Sequence, residues 1–221
     1  MSGRDSILGT IRRGLGRGEL SDAEKGALED RIAARRRGVR PSRVDLDSDG
    51  LADLFVDYAK GVDMSVDRVA SMEDVPDRVA DYLARENLPA NLRVAPDPSL
   101  DGIPWEKRPT LTITRGKTEG ADEVGLTGAF AGVAETGTLI MRSGPEHPTT
   151  LNFLPDSHLV VIRKSQIVGS YEDAWDKIRD GKMPRTVNFI TGPSRTGDIE
   201  QTIFMGAHGP RRMHIVLVED E

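Results

Sequence analysis

Three short stretches in the C-terminal half, "TLIM" (138–141), "HLVVIR" (158–163) and "TVNFI" (186–190), are rich in β-branched residues and almost continuously apolar. A strand with one wet face alternates polar and apolar side chains. A strand covered on both faces does not, and such strands suit the middle of a parallel sheet flanked by helices. "RRMHIVLVED" (211–220) reads as a final strand. Between the second and third runs lies "SYEDAWDKIRDGK" (170–182). There Ser170 and Asp173 have the spacing of a capping box, and Ala174 and Ile178 share a helical face. Strand, helix, strand predicts a right-handed crossover.

The preceding part of the chain repeats the alternation. "SDGLADLFVDYAKG" (48–61) places Leu51, Leu54, Phe55 and Tyr58 on one helical face. "VDMSVDRV" (62–69) alternates as a strand does, "EDVPDRVADYLAREN" (73–87) reads as a helix with Asp74 as its cap, and "LRVAP" (92–96) is a short strand ended by Pro96. "LTITRG" (111–116) is a further strand candidate, whereas the Gly- and Thr-rich segment around 118–132 has no clear period. The sum is an α/β fold with a parallel sheet covered by helices. Residues 1–43 stand apart. Ile7, Leu8, Ile11 and Leu15 form one helical stripe, Ser21 caps a second helix with Leu28 and Ile32, and Gly38 and Pro41 end it. The expected organisation is a helical extension, 1–43, and an α/β domain, 44–221.

Composition narrows the function. None of the 221 residues is cysteine. Disulfides, Cys-type zinc sites and cysteine-held iron–sulfur clusters are therefore excluded from this chain, and any redox role needs its electrons carried elsewhere. No stretch approaches the roughly 20 apolar residues of a membrane helix, and the start, "MSGRDSILGTIRRG", lacks the apolar core of a secretory signal. The expectation is a cytoplasmic protein without a membrane span. Residues 1–43 hold eleven Lys/Arg against six Asp/Glu, and the remainder nineteen against thirty. The basic residues of the extension are interleaved with acids and lack aromatic neighbours, the pattern of solvated helix faces rather than of a nucleic-acid surface.

In open α/β sheets ligands bind beyond the carboxyl ends of strands. By this rule three loops are candidates. The first holds Glu135 with Thr136, Gly137 and Thr138. The second, "TGPSRTGDIE" (191–200), offers Gly192, Ser194, Arg195 and Thr196, whose backbone N–H groups, hydroxyls and guanidinium suit a small carboxylate or a phosphate. The third, "GAHGPRR" (206–212), holds His208. The second is neither a P-loop nor a dinucleotide fingerprint. His147, His158, His208 and His214 are scattered without metal-ligand spacing; His158 and His214 read as structural or surface groups, and His208 is the best functional candidate. Glu135 can be a nucleophile, a binding group or a cap, and the three loops are expected to converge on one pocket.

"GLTGAFAGVAETGTLIM", "LPDSHLVVIRKSQIV", "GPSRTGDIE" and "GAHGPRRMHIVLVED" together resemble the LUD-domain family over about residues 60–220. Gly197 departs from the alanine expected there. The resemblance implies a three-layer α/β/α sandwich with a largely parallel sheet, as in the NagB/RpiA/CoA-transferase superfamily. It implies oxidation of L-lactate to pyruvate with two iron–sulfur partner proteins, and hence no cofactor in this chain and iron–sulfur clusters in the partners. "E-T-G" at 135–137 is similar to the Glu-x-Gly setting of the catalytic glutamate in some CoA transferases of that superfamily. A stand-alone acyl-CoA transferase, a sugar-phosphate isomerase-like enzyme and a carboxylate-sensing module are the other functions this fold would allow.

Overall fold

The computed structural model describes residues 2–197 and 204–219. They fall in two compact units, Met1–Val39 and Arg40–Glu221. The first contains α1 (Gly3–Gly14) and α2 (Asp22–Ala33). Both open in capping boxes, Ser2 with Asp5 and Ser21 with Glu24, each satisfying free N–H groups of the first turn. Ile7, Ile11, Leu15 and Ile32 are exposed.

The second unit begins with α3 (Ser48–Gly61), β1 (Met64–Val69), α4 (Val75–Arg85), β2 (Asn91–Val94), β3 (Thr112–Arg115) and β4 (Val124–Gly128). It continues with β5 (Ala131–Val133), β6 (Thr138–Arg142), α5 (Thr150–Phe153), β7 (Ser157–Arg163), β8 (Ile167–Val168), α6 (Tyr171–Arg179) and β9 (Val187–Ile190). β10 (Arg195–Thr196), β11 (Phe204–Met205) and β12 (Arg212–Val218) complete the described elements. Asp47 caps α3 through the N–H of Gly50, and Ser170 caps α6 in the expected box with Asp173. Asp74 does not cap α4; its carboxylate instead accepts the N–H of Ser71 across the preceding 3-10 turn.

The central sheet has the order β1-β12-β7-β4-β2-β3, and every pairing in it is parallel. Helices cover both faces. Val216 and Val218 of β12 and Leu159 and Val161 of β7 face a core with Val79, Tyr82 and Leu83 of α4 and Leu151 of α5. The alternating residues Ile215, Leu217, Val160 and Ile162 face Ala52, Phe55 and Ala59 of α3. The fold is the mostly parallel α/β class that the alternation of elements predicts.

Two of the apolar runs are not in that sheet. β6, which is "TLIM", and β9, which is most of "TVNFI", lie side by side and antiparallel in a second sheet of order β8-β5-β6-β9. Their runs are apolar because this sheet too is covered twice. Leu139 and Met141 join the α3 core, while Ile140 and Phe189 pack with Ala174 and Ile178 of α6. Unbroken apolarity reports burial on two faces and says nothing about strand direction. The crossover expected from β7 through α6 to β9 is therefore absent, since β7 and β9 belong to different sheets.

Two buried histidines give the fold a pH dependence. His158 lies on the central sheet with Nε2 2.8 Å from the Thr127 hydroxyl. His214 has Nδ1 2.8 Å from Ser65 Oγ and stacks on Tyr82 with ring centroids 4.0 Å apart. Burial pulls the pKa of each down to about 4, and for His214 the Asp67 carboxylate only partly opposes this. Between pH 6.5 and about 4 the unfolded chain thus binds more protons than the folded one. The stability that neutral histidines allow is complete above pH 6.5 and is lost as the pH falls toward 4. We expect urea midpoints at pH 5 to reveal a loss on the order of 2 kcal/mol or more relative to pH 7.5. Unchanged midpoints would show that these imidazoles are not held neutral.

Candidate functional site

β2 and β4 are neighbours in the parallel sheet, yet the chain leaves them in opposite directions: from β2 outward to β3, and from β4 inward toward β7. Such a reversal opens a crevice beyond the carboxyl ends of the two strands. A cavity of about 150 Å³ occupies it, lined by Asp97 and Ser99 after β2, Thr127 to Phe130 at the end of β4, Met141 and Arg142 at the end of β6, and His147, Asn152 and Gln166.

Its polar groups are organised around Asp97, which is 5% exposed. Asp97 Oδ1 accepts the N–H of Ser99 at 2.9 Å, and Oδ2 lies 3.3 Å from His147 Nδ1. Burial pushes this carboxyl up, but the bonds from His147 and from Ser99 together outweigh it and hold the group below the usual carboxylate range. Asp97 is therefore a carboxylate at neutral pH. It sets His147 with Nδ1 toward the acid and leaves Nε2 to give or take a proton. His147 is itself held in a tight turn by reciprocal backbone bonds with Gly144, at 3.1 and 3.2 Å. Arg142 lies over the Phe130 ring, 3.9 Å from its centroid, and among the described residues no ion pair engages its guanidinium. Gln166 braces the wall by donating to the Ala129 carbonyl at 2.7 Å. A fixed cation beside an acid–imidazole pair and an apolar surface of Ala95, Ala129 and Met141 can bind a small carboxylate and move a proton on it.

The residues expected from the sequence lie elsewhere. Glu135, in the β5–β6 turn, is 7% exposed. Its carboxylate accepts the N–H of Tyr171 at 2.9 Å, at the positive end of α6, and lies 3.9 Å from Arg43. Thr136 and Thr138 share hydroxyl contacts with Tyr171, and Thr138 reaches Thr191 at 2.7 Å. Gly137 packs on the backbone of α3 and Gly192 on the carbonyl of Val62. Arg195 pairs with Asp63, and Thr196 lies in the β10–β11 ladder. The His208 N–H donates to Ser194 Oγ at 3.2 Å.

The structure thus joins Thr136 and Thr138 to Thr191, and Ser194 to His208, while Glu135 has its partners at 169–171 and Arg43. The 206–211 loop enters the amino end of β12 rather than following a carboxyl end, and the 191–194 loop leaves the second sheet. Asp198, Ile199 and Glu200 of the second motif lie outside the described residues.

Asp97, Arg142 and His147 were not singled out by the sequence. The available signals were an acid directly after "LRVAP" and the Pro- and Gly-rich loop "RSGPEHPTT" directly after a strand.

The comparisons agree with this architecture. A DUF162 family protein from Deinococcus radiodurans has the same fold, with a TM-score of 0.57 over 78% of this chain and 99% of that one, at 24% identity. The LUD domain matches residues 52–218, and the chain belongs to the LUD-domain family. An uncharacterized protein of Neisseria meningitidis is 36% identical over 126 residues, 55% of this chain and 52% of that one. Lactate utilization protein C of Anoxybacillus flavithermus is 35% identical over 44% of each chain, and that of Bacillus subtilis is 35% identical over 44% of this chain and 42% of its own. The chain spans about half the length of the curated relatives it matches.

Proposed function

We propose that this chain is a cytoplasmic component of an L-lactate-oxidising system, and that the Asp97–Arg142–His147 cavity holds the small 2-hydroxy acid. The observation that carries this reading is the cavity itself. A space of about 150 Å³ accommodates a molecule the size of benzene, and L-lactate has the same number of non-hydrogen atoms. Arg142 suits the carboxylate through paired N–H donors, the apolar wall suits the methyl group, and His147, oriented by Asp97, suits removal of the hydroxyl proton. Oxidation to pyruvate also breaks the C2–H bond, whose hydrogen leaves as a second proton to water and whose electron pair must be carried away. The resemblance to the LUD-domain family implies that those electrons pass to iron–sulfur clusters in two partner proteins, and a chain without cysteine is compatible with that division. The names of the relatives support the lactate assignment. A stand-alone acyl transferase has less support, because the acid it would use, Glu135, is engaged at the N-terminus of α6.

Growth on L-lactate as sole carbon source tests the role. A deletion strain should fail, and the intact gene should restore it. His147→Asn should leave lactate oxidation in extracts lower by about a hundredfold, the scale of a lost acid–base group. Normal growth of the deletion strain, or full oxidation with the variant, would remove the assignment.

A further inference from the structure

The cavity does not end at Arg142 and His147. Both residues also line a larger open cleft of about 860 Å³, whose other walls are Ser143, Pro145, Glu146, Lys182, Pro184 and Arg185. Three cations meet there on a body whose residues 44–221 carry nineteen Lys/Arg against thirty Asp/Glu. Elsewhere in this unit cations are commonly held by acids, as in Arg93–Asp122, Arg108–Asp77 and Lys164–Asp49. Among the described residues no hydrogen bond or ion pair engages Lys182 or Arg185, and Glu146 is the single carboxylate of the lining. A cationic cleft on an acidic protein, left without internal partners, has the charge of an anion site, and its size is that of a cofactor pocket rather than of a single small acid.

We infer that this cleft is a second binding site, for the diphosphate group of a nucleotide. Lys182 supplies a compact point charge and Arg185 a planar fork, which together match oxygens spread over two phosphates. Arg142 at the shared mouth brings the charged end of that nucleotide next to the acid–imidazole pair. The inference shares Arg142 and His147 with the lactate reading, but its own contacts, Lys182 and Arg185, and its ligand class are ones that reading does not use, so either can fail without the other.

Calorimetric titration of the full chain with ADP tests it, with inorganic pyrophosphate and adenosine as further probes. ADP should bind saturably and more weakly at high salt. Pyrophosphate should compete with it, and adenosine should not bind. The exposed double variant Lys182→Gln/Arg185→Gln should weaken ADP by at least roughly tenfold, the scale of a lost charged contact. Lys25→Gln/Lys60→Gln, which removes the same charge outside the cleft, should leave the affinity unchanged. No saturable binding of ADP, equal weakening by both double variants, or equally tight binding of a polyglutamate peptide would overturn the assignment.

Discussion

Gly137→Ala should cost the fold about 3 kcal/mol or more, the sum of a left-handed backbone imposed on alanine and a backbone overlap. Gly137 turns the chain between β5 and β6 with φ at +65°. A Cβ there would lie 2.4 Å from the amide nitrogen of Ala59 and 2.7 Å from the carbonyl carbon of Tyr58. Both are backbone atoms of α3, so no side chain can swing away; either the turn or the helix must move. That contact seats the β5–β6 turn of the second sheet against α3, which also packs on the central sheet, so its loss should be global. Urea denaturation measures it, with Gly197→Ala as reference, since a Cβ at 197 meets nothing within 4 Å among the described residues. The reference should stay within about 0.5 kcal/mol of the parent, as surface changes do. Equal midpoints for the two variants would refute this account of the turn.

Gly128→Ala should strike activity harder than stability. Its Cβ would lie 2.6 Å from Asp97 Oδ2 and 2.8 Å from Ser99 Oγ. The carboxylate must turn aside, and His147 then loses the group that orients it. With the proton-transfer geometry gone, lactate oxidation in complemented extracts should fall by about a hundredfold, while thermal melting shifts by an amount matching a loss of about 1–2 kcal/mol, the lower range for overpacking. Unaltered oxidation would separate Asp97 from the chemistry.

Much of the fold was legible in advance because its signals are local. The period of 48–61 and 73–87, the box at Ser170 and the apolar runs follow from side chains a few residues apart. The second sheet was not legible, because β6 and β9 owe their apolarity to α3 on one face and α6 on the other, which any doubly covered strand would share. The site was less legible still. Asp97 and His147 are fifty residues apart in sequence and meet only because the loops that follow β2 and β6, strands of different sheets, converge on one cavity. The cavity lies where ligands gather in such folds, beyond the carboxyl ends of β2 and β4. Of the loops expected from the sequence, 191–194 follows β9 of the second sheet, and 206–211 enters the amino end of β12. The "ETGT" stretch proves to be an anchor in this structure: Glu135 at the start of α6, Gly137 on α3, Thr138 on Thr191.

On this reading the Asp97–Arg142–His147 cavity binds a small 2-hydroxy or 2-oxo acid. Calorimetric titration of the chain with L-lactate and with pyruvate tests it most directly, using the parent and Arg142→Gln, in which a side chain of similar length loses its charge. The parent should bind at one site, and the variant should bind tenfold to about a hundredfold more weakly, as when a charged hydrogen bond is lost. Absence of heat with either acid, or equal affinity in the variant, would contradict the assignment.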